Sequence, residues 1–268
     1  MLWEELRANQ FSDCIRMSGG VCLLPIGVLE KHGNHLPLGT DMYTGTAVSK
    51  RAAEIEPSVV FPYYFLGQIS EARHYAGTIA ASHRLLMDSL LEMCDEIRRN
   101  GFSKIIIASS HGGNAHFIPF FLQEMPRLNR DYNAYTYFIP ELKKEQTRAI
   151  CDYAKTEDMG YHAGLTETSI MMHLRPDLVK MDAQDPHEGS NHNRLADLRE
   201  RGVDTGFNWY AQYPRHIAGD PSPASSELGK MIFEMMSENL AEIIRLVKAD
   251  NVSEKMIKEF RLLGEKPQ

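Results

Sequence analysis

The sequence lacks the features that mark membrane and nucleic-acid-binding proteins. Its longest apolar stretches, such as residues 21–26 and 105–108, are far shorter than the roughly 20 residues that cross a bilayer. Lys and Arg are scattered among an excess of Asp and Glu, and the net charge is −7. The sequence therefore offers no basic patch that would bind a phosphate backbone. We expect neither a membrane span nor a nucleic-acid partner.

Cysteine is scarce and is not spaced for metal or redox chemistry. Cys14, Cys22, Cys94 and Cys151 lie far apart without a C-x-x-C pair, which favours reduced structural thiols over a disulfide framework or a zinc knuckle. Residues 1–5 carry acids where a secretory signal needs basic and apolar residues. We therefore predict a cytoplasmic protein.

What the sequence does contain is the pattern of one α/β domain over residues 1–268. Hydrophobic residues make up 43% and charged residues 24%, the ordinary balance of a globular protein. Segments 21–26, 59–65, 104–109 and 132–139 are strand-like and alternate with helical periodicity, which predicts a mostly parallel sheet covered on both faces. An amphipathic helix is predicted over residues 225–247.

Two further segments have weaker patterns. Residues 185–223 are polar and rich in Gly, Asn, His and Pro, which predicts a long ordered excursion or a contact region. Residues 249–268 are interpreted as a C-terminal tail.

The loop after the first predicted strand carries several metal-binding side chains. It reads E-K-H-G-N-H-L-P-L-G-T-D over residues 30–41, at the strand end where open α/β sheets bind ligands. Carboxylate and imidazole are the usual oxygen and nitrogen ligands of zinc and manganese. Glu30 and His32 can address neighbouring metals while Asp41 bridges them. The alternative is a polar loop whose histidines are satisfied by hydrogen bonds.

Two more segments bring similar side chains to the same region. The third predicted strand ends in S-S-H-G-G-N, so that His111 reaches the same sheet edge, although Gly112 and Gly113 also suit a simple tight turn. The string H-A-G-L-T-E-T-S opens a predicted helix with His162 and Glu167. Glu167 is either a ligand or a first-turn charge favoured by the helix dipole.

Together these strings resemble the signature blocks of the creatininase family. The matching strings are PIGVLEKHGNHLPLGTD, SSHGGNAHF and HAGLTETSIMMHLRPDLV, with further matches at His74–Thr78, 219–224 and 227–229. They run in family order from about residue 20 to residue 235. The resemblance implies a three-layer α/β/α sandwich, two divalent metal ions per chain, and a homo-oligomer, usually a hexamer.

The resemblance also implies roles for individual residues. It marks His162 as the residue that handles the proton. It carries four residues over as metal ligands, with Asp41 bridging: Glu30, His32, Asp41 and His111.

This chain departs from the creatinine-cleaving members of the family. In those members a glutamate two residues after the third-strand histidine binds the second metal, but this chain has Gly113 there. Glu167 is our candidate for the substitute ligand. The creatinine-cleaving members also use tryptophans near the positions of Phe138 and residues 158–159, where this chain has none. Creatinine is therefore a poor candidate substrate.

The resemblance spans several reactions of small molecules. We hypothesise that two divalent ions, Zn or Mn with Fe as a further option, activate a water for hydrolysis of a cyclic amide or a formamide. Opening of a cyclic ketone of the oxidised inositol type is the alternative, and a non-catalytic binding or assembly protein is another. Four polar residues either address substrate hydroxyls or lie in solvated loops: Tyr161, His187, Asn191 and His192. Four histidines stay unassigned: His83, His116, His173 and His216.

Overall fold

A four-stranded parallel sheet lies at the centre of the computed structural model, which describes residues 1–184 and 188–265. Its strands are β1 (Val21–Ile26), β2 (Val59–Val60), β3 (Lys104–Ser109) and β4 (Asn133–Phe138), in the spatial order β2-β1-β3-β4. Strand β1 is buried along its whole length because helices cover both faces of a parallel sheet. Every strand therefore directs its carboxyl end toward the same edge.

Ten α-helices surround or follow this sheet in the described residues. They are α1 (Phe11–Met17), α2 (Thr40–Ile55), α3 (His83–Arg99), α4 (Asn114–Leu128), α5 (Lys144–Ala154), α6 (Leu165–Leu174), α7 (Ala196–Glu200), α8 (Asn208–Gln212), α9 (Ser226–Ala249) and α10 (Val252–Glu265). No helix among the described residues combines the length and hydrophobicity needed to cross a membrane.

The side chains of β1 alternate between two separate cores. Val21 and Leu23 pack with residues of α2, α5, α6 and α9, whereas Cys22 and Leu24 pack with residues of α1, α3 and α4. Successive side chains of a strand point to opposite faces, so each face of the sheet buries its own helical layer. The predicted three-layer α/β/α architecture is confirmed, and all four cysteines are free thiols.

Side-chain caps begin α3 and α9, whereas the start of α4 has none. The hydroxyl of Ser82 accepts a hydrogen bond at the start of α3, and that of Ser225 does so at the start of α9, as side-chain caps do. Asn114, a residue type that often caps helices, does not cap α4. Its Oδ1 accepts the backbone N–H of Gln68 instead, so the asparagine joins a loop to the helix.

Three other boundaries differ from the sequence pattern. Only Val59–Val60 of the strand-like segment 59–65 form a strand, and beyond them Tyr64 makes only an isolated bridge with Ile26 of β1. The predicted strand 132–139 is one residue shorter at each end, and the described part of the C-terminal tail contains α10. The excursion holds α7 and α8 within residues 188–223. The single-domain division stays a prediction.

Candidate metal centre

Six side chains converge at the carboxyl ends of β1 and β3. They come from the loop after β1, the first turn of α2, the end of β3 and the start of α6. Five of them are buried, with exposed fractions between 0% and 7%: Glu30, His32, Asp41, His111 and His162. The sixth, Glu167, has 22% of its side chain exposed. The structure thus brings together every residue that the sequence proposed for the site.

A first group that could hold a metal ion, called the first ligand set, consists of Glu30, Asp41 and His111, whose donor atoms lie within 4.8 Å of one another. The Nε2 of His111 lies 2.7 Å from the backbone carbonyl of Gln68, and a carbonyl only accepts, so Nε2 carries a proton. Its Nδ1 faces Glu30 Oε1 at 2.7 Å and Asp41 Oδ2 at 3.1 Å. Neither oxygen has a hydrogen-bond partner in the described structure. Either a second proton on the imidazole or a metal cation must hold these atoms together.

The second ligand set consists of His32, Asp41 and Glu167, and it uses the other oxygen of Asp41. The Nδ1 of His32 lies 3.2 Å from the backbone carbonyl of Glu30, which leaves Nε2 directed at the carboxylates. That atom lies 3.2 Å from Asp41 Oδ1 and 3.7 Å from Glu167 Oε2. The backbone N–H of Ala163 donates to Glu167 Oε2 at 2.5 Å. This contact orients the carboxylate toward His32.

His162 lies beside both sets. Its ring is 4.3 Å from the ring of His32, and its Nε2 is 2.8 Å from the backbone carbonyl of Lys31. Because that carbonyl requires a donor, Nε2 carries the proton in the neutral ring and Nδ1 is the basic atom. Glu30, His32 and His162 also form a third group that could hold a metal ion. Position alone thus fits either a ligand or a proton carrier.

The buried carboxylates of the cluster stabilise positive charge on the neighbouring side chains. Burial opposes protonation of His111, but Glu30 and Asp41 outweigh it and raise the pKa of this imidazole well above its usual value. Asp41 and Glu167 likewise overcome burial and raise the pKa of His32 to about 10. Burial raises the pKa of Glu167 to about 7. These oxygen and nitrogen donors suit a divalent cation, which would supply the same charge.

Gly113 occupies a position where no side chain fits. A Cβ built there would lie 2.5 Å from each of the backbone oxygen of Gln68, its Oε1, and His111 Nε2. The loop that carries Gln68 therefore fills the space that a side chain at position 113 would need. At the neighbouring Gly112 a Cβ would meet nothing within 4 Å. A carboxylate at position 113 would displace that loop, whereas Glu167 already lies beside the cluster.

Two residues at the site were not identified from the sequence. His216 is buried, and its Nε2 lies 2.5 Å from Glu30 Oε2. The indole N–H of Trp209 donates to His216 Nδ1 at 2.8 Å. Both belong to the polar excursion, which thus contacts the site of its own chain. The one sequence signal was that His216 closely precedes the weak family string at 219–224.

The remaining polar residues from the sequence do not belong to the groups that could hold a metal ion. His35 is buried and contacts the hydroxyl of Thr168, so it has a structural partner. Tyr161 has an exposed fraction of 84%, and Asn191 and His192 are also exposed, as expected for solvated loop residues. His187 lies outside the described residues.

Comparison with known proteins agrees with this arrangement. The family model described as creatinine amidohydrolase matches residues 4–244. The chain belongs to the creatininase family. Creatininase-family members are metal-dependent hydrolases, and so is this chain. The predicted family is therefore confirmed.

Three curated relatives show the range of reactions within the creatininase family. A creatinine amidohydrolase of Pseudomonas putida is 27% identical, with 91% of this chain and 94% of the relative covered. A mycofactocin precursor peptide peptidase of Mycobacterium ulcerans is 28% identical, with 83% and 84% covered. A 3-dehydro-scyllo-inosose hydrolase of Thermotoga maritima is 22% identical, with 91% and 86% covered.

Solved structures of creatininase have the same fold as this chain. A crystal structure of creatinine amidohydrolase superposes with a TM-score of 0.76 at 23% identity, and the match covers 93% of this chain and 98% of the other. Similar solved structures include a manganese form and a Zn–Zn form of creatininase. At this identity the likeness establishes the fold and no finer property.

Proposed function

We propose that this creatininase-family protein hydrolyses a C–N amide bond with two divalent metal ions per chain. Glu30, Asp41 and His111 would hold one ion, and His32, Asp41 and Glu167 would hold the other. One observation carries the proposal: the two carboxylate oxygens of Asp41 face different ligand sets, at 3.1 Å from His111 and 3.2 Å from His32. A carboxylate in this position is suited to bridge two cations.

The chain's own residues supply the rest of the chemistry. When bound, divalent ions polarise a substrate carbonyl and lower the pKa of water. His162 would accept a proton at Nδ1 and pass it to the leaving nitrogen, because its Nε2 is held by the carbonyl of Lys31. Glu167 is the most exposed of the six site residues, so we place the substrate on its side of the site.

The proposed substrate class is inferred from the activities of the relatives named above. A creatinine amidohydrolase and a peptide peptidase both cleave C–N bonds, and we favour a cyclic amide or a formamide. The inosose hydrolase supports the second candidate, opening of a cyclic ketone by C–C cleavage. A non-catalytic binding protein is disfavoured by membership of a hydrolase family. Zn or Mn as the metal, a homo-hexamer and a cytoplasmic location stay predictions.

A substrate panel tests the proposal. Protein loaded with Zn²⁺ or Mn²⁺ is assayed with creatinine, other cyclic amides, formamides, short peptides and an oxidised inositol, beside the His162→Ala variant. We expect turnover of an amide and its loss in the variant with metal content retained. Turnover of the cyclic ketone alone would contradict amide hydrolysis and support C–C cleavage. Metal binding without turnover of any compound, and without an effect of His162→Ala, would contradict catalysis.

A further inference from the structure

A chain of two hydrogen bonds joins Trp209 to Glu30 through His216. An indole N–H can only donate, so its bond of 2.8 Å to His216 Nδ1 requires a lone pair on that nitrogen. The ring proton of neutral His216 is then on Nε2, which lies 2.5 Å from Glu30 Oε2. Trp209 therefore selects the tautomer in which His216 donates to the carboxylate.

This direction of donation decides which oxygen of Glu30 is available. Oε2 accepts from His216, whereas Oε1 has no hydrogen-bond partner among the described residues and lies 2.7 Å from His111 Nδ1. We propose that Trp209 and His216 are positioning residues that hold the Glu30 carboxylate in its metal-binding orientation. The inference rests on the proposed function, since it assigns a role toward the first ligand set.

The backbone around His216 is held from both sides. The hydroxyl of Tyr75 donates to the carbonyl of Pro214 at 2.6 Å, and Lys31 Nζ donates to the carbonyl of Arg215 at 2.7 Å. Ala218 forms an antiparallel bridge with His162. His216 itself has a φ of 58°, a left-handed conformation uncommon for residues other than glycine and kept only where the surroundings require it.

His216 differs in this respect from His162, whose ring is 4.4 Å away. Both ring nitrogens of His216 are engaged, by Trp209 and by Glu30, so neither is available to a metal or to substrate. His162 keeps Nδ1 available. These contacts suit His216 to orienting a ligand and leave His162 for the proton transfer proposed above.

The variant Trp209→Phe tests the inference, because it keeps an aromatic ring and removes only the N–H donor. Losing a hydrogen-bond partner that orients a metal ligand typically costs about 10–100-fold in metal affinity, and we expect a loss of this size at one of two Zn²⁺ positions. Equilibrium dialysis of metal-free protein with elemental analysis measures it. The matched control is Trp3→Phe, since Trp3 packs in the core against Phe11 and Phe61. Equal affinities in the two variants would overturn the inference.

A second pair of variants separates donation from packing. His216→Gln retains a side-chain N–H that can donate to Glu30, whereas His216→Leu fills similar space without a donor. We expect the affinity of His216→Gln to lie closer to that of the unmodified protein. Equal losses in both variants would indicate a merely structural role and contradict the inference.

A metal-free readout distinguishes this inference from the proposed function. The sequence has two tryptophans, so in Trp3→Phe the ultraviolet resonance Raman indole bands report Trp209 alone. We expect a hydrogen-bonded N–H that is lost when His216→Leu is added. A free N–H in the Trp3→Phe variant would overturn the inference whatever the metal content. A hydrogen-bonded N–H in a protein that binds no Zn²⁺ or Mn²⁺ would instead overturn the proposed function and the role toward metal.

Discussion

The two ligand sets share Asp41 but differ in how firmly their other members are held. In the first set, His111 is fixed by Gln68 and Glu30 by His216, with contacts of 2.7 Å and 2.5 Å. In the second set, Glu167 is 22% exposed and lies 3.7 Å from His32. One set is enclosed by protein contacts, and the other has a side open to solvent.

This difference suggests that the two ligand sets have different roles. Enclosed sites with satisfied partners retain a metal, whereas catalytic sites keep a coordination position open for water or substrate. We therefore expect the first set to bind its ion more tightly and the second set to exchange its ion and to meet the substrate. The following predictions test that asymmetry.

The largest effect is expected from Asp41→Asn, because Asp41 belongs to both sets. The variant should lose both ions and reduce kcat/KM by more than the ~10–100-fold that follows loss of a partner that orients a ligand. Elemental analysis and turnover of the substrate found in the panel measure it. A variant that keeps one firmly bound ion would show that Asp41 does not bridge the two sets.

A selective effect is expected from Glu167→Gln, which changes only the second set. The amide oxygen can still accept the N–H of Ala163, so the loop should keep its conformation while the metal content falls from about two ions per chain to about one. Elemental analysis after dialysis measures the loss. Two retained ions would mean that Glu167 is only a first-turn charge favoured by the helix dipole.

The smallest of the three effects, measured as a loss of stability, is expected from Gly113→Ala. The added methyl group would displace Gln68 from His111, and such overpacking costs about 1–3 kcal/mol. Urea unfolding of the metal-free protein measures the change in the free energy of unfolding. Gly112→Ala is the matched control, since its methyl group meets open space and should change stability by less than ~0.5 kcal/mol. Equal stabilities of the two variants would contradict the steric account.

Much of the fold was predictable because its signals are local. Short apolar runs at the centre of the sheet identify β1 and β3, and serine caps mark the starts of α3 and α9. The role of Asn114 was missed because it depends on a neighbour distant in sequence. Asn114 bonds to Gln68, 46 residues away, and propensity at a helix start contains no information about that partner.

The site likewise contains residues that the sequence predicts and residues that it does not. Glu30, His32, Asp41 and His111 follow strand ends that a parallel sheet must bring together, so topology alone predicts their approach. His216 meets Glu30 across 186 residues through an irregular excursion without periodicity. No periodic pattern in the sequence predicts how this excursion folds back onto Glu30. The tautomer of His216 depends on that fold, because Trp209 belongs to the same excursion.

The crowding at Gly113 also constrains how such a site can change during evolution. A glutamate at position 113 would need the space that Gln68 occupies beside His111, so a single replacement damages the first ligand set before it can serve the second. Moving the carboxylate from position 167 to position 113 therefore requires a remodelled Gln68 loop as a prior or simultaneous step. For this chain, exchanging the glycine form of the site for a glutamate form therefore takes more than one substitution.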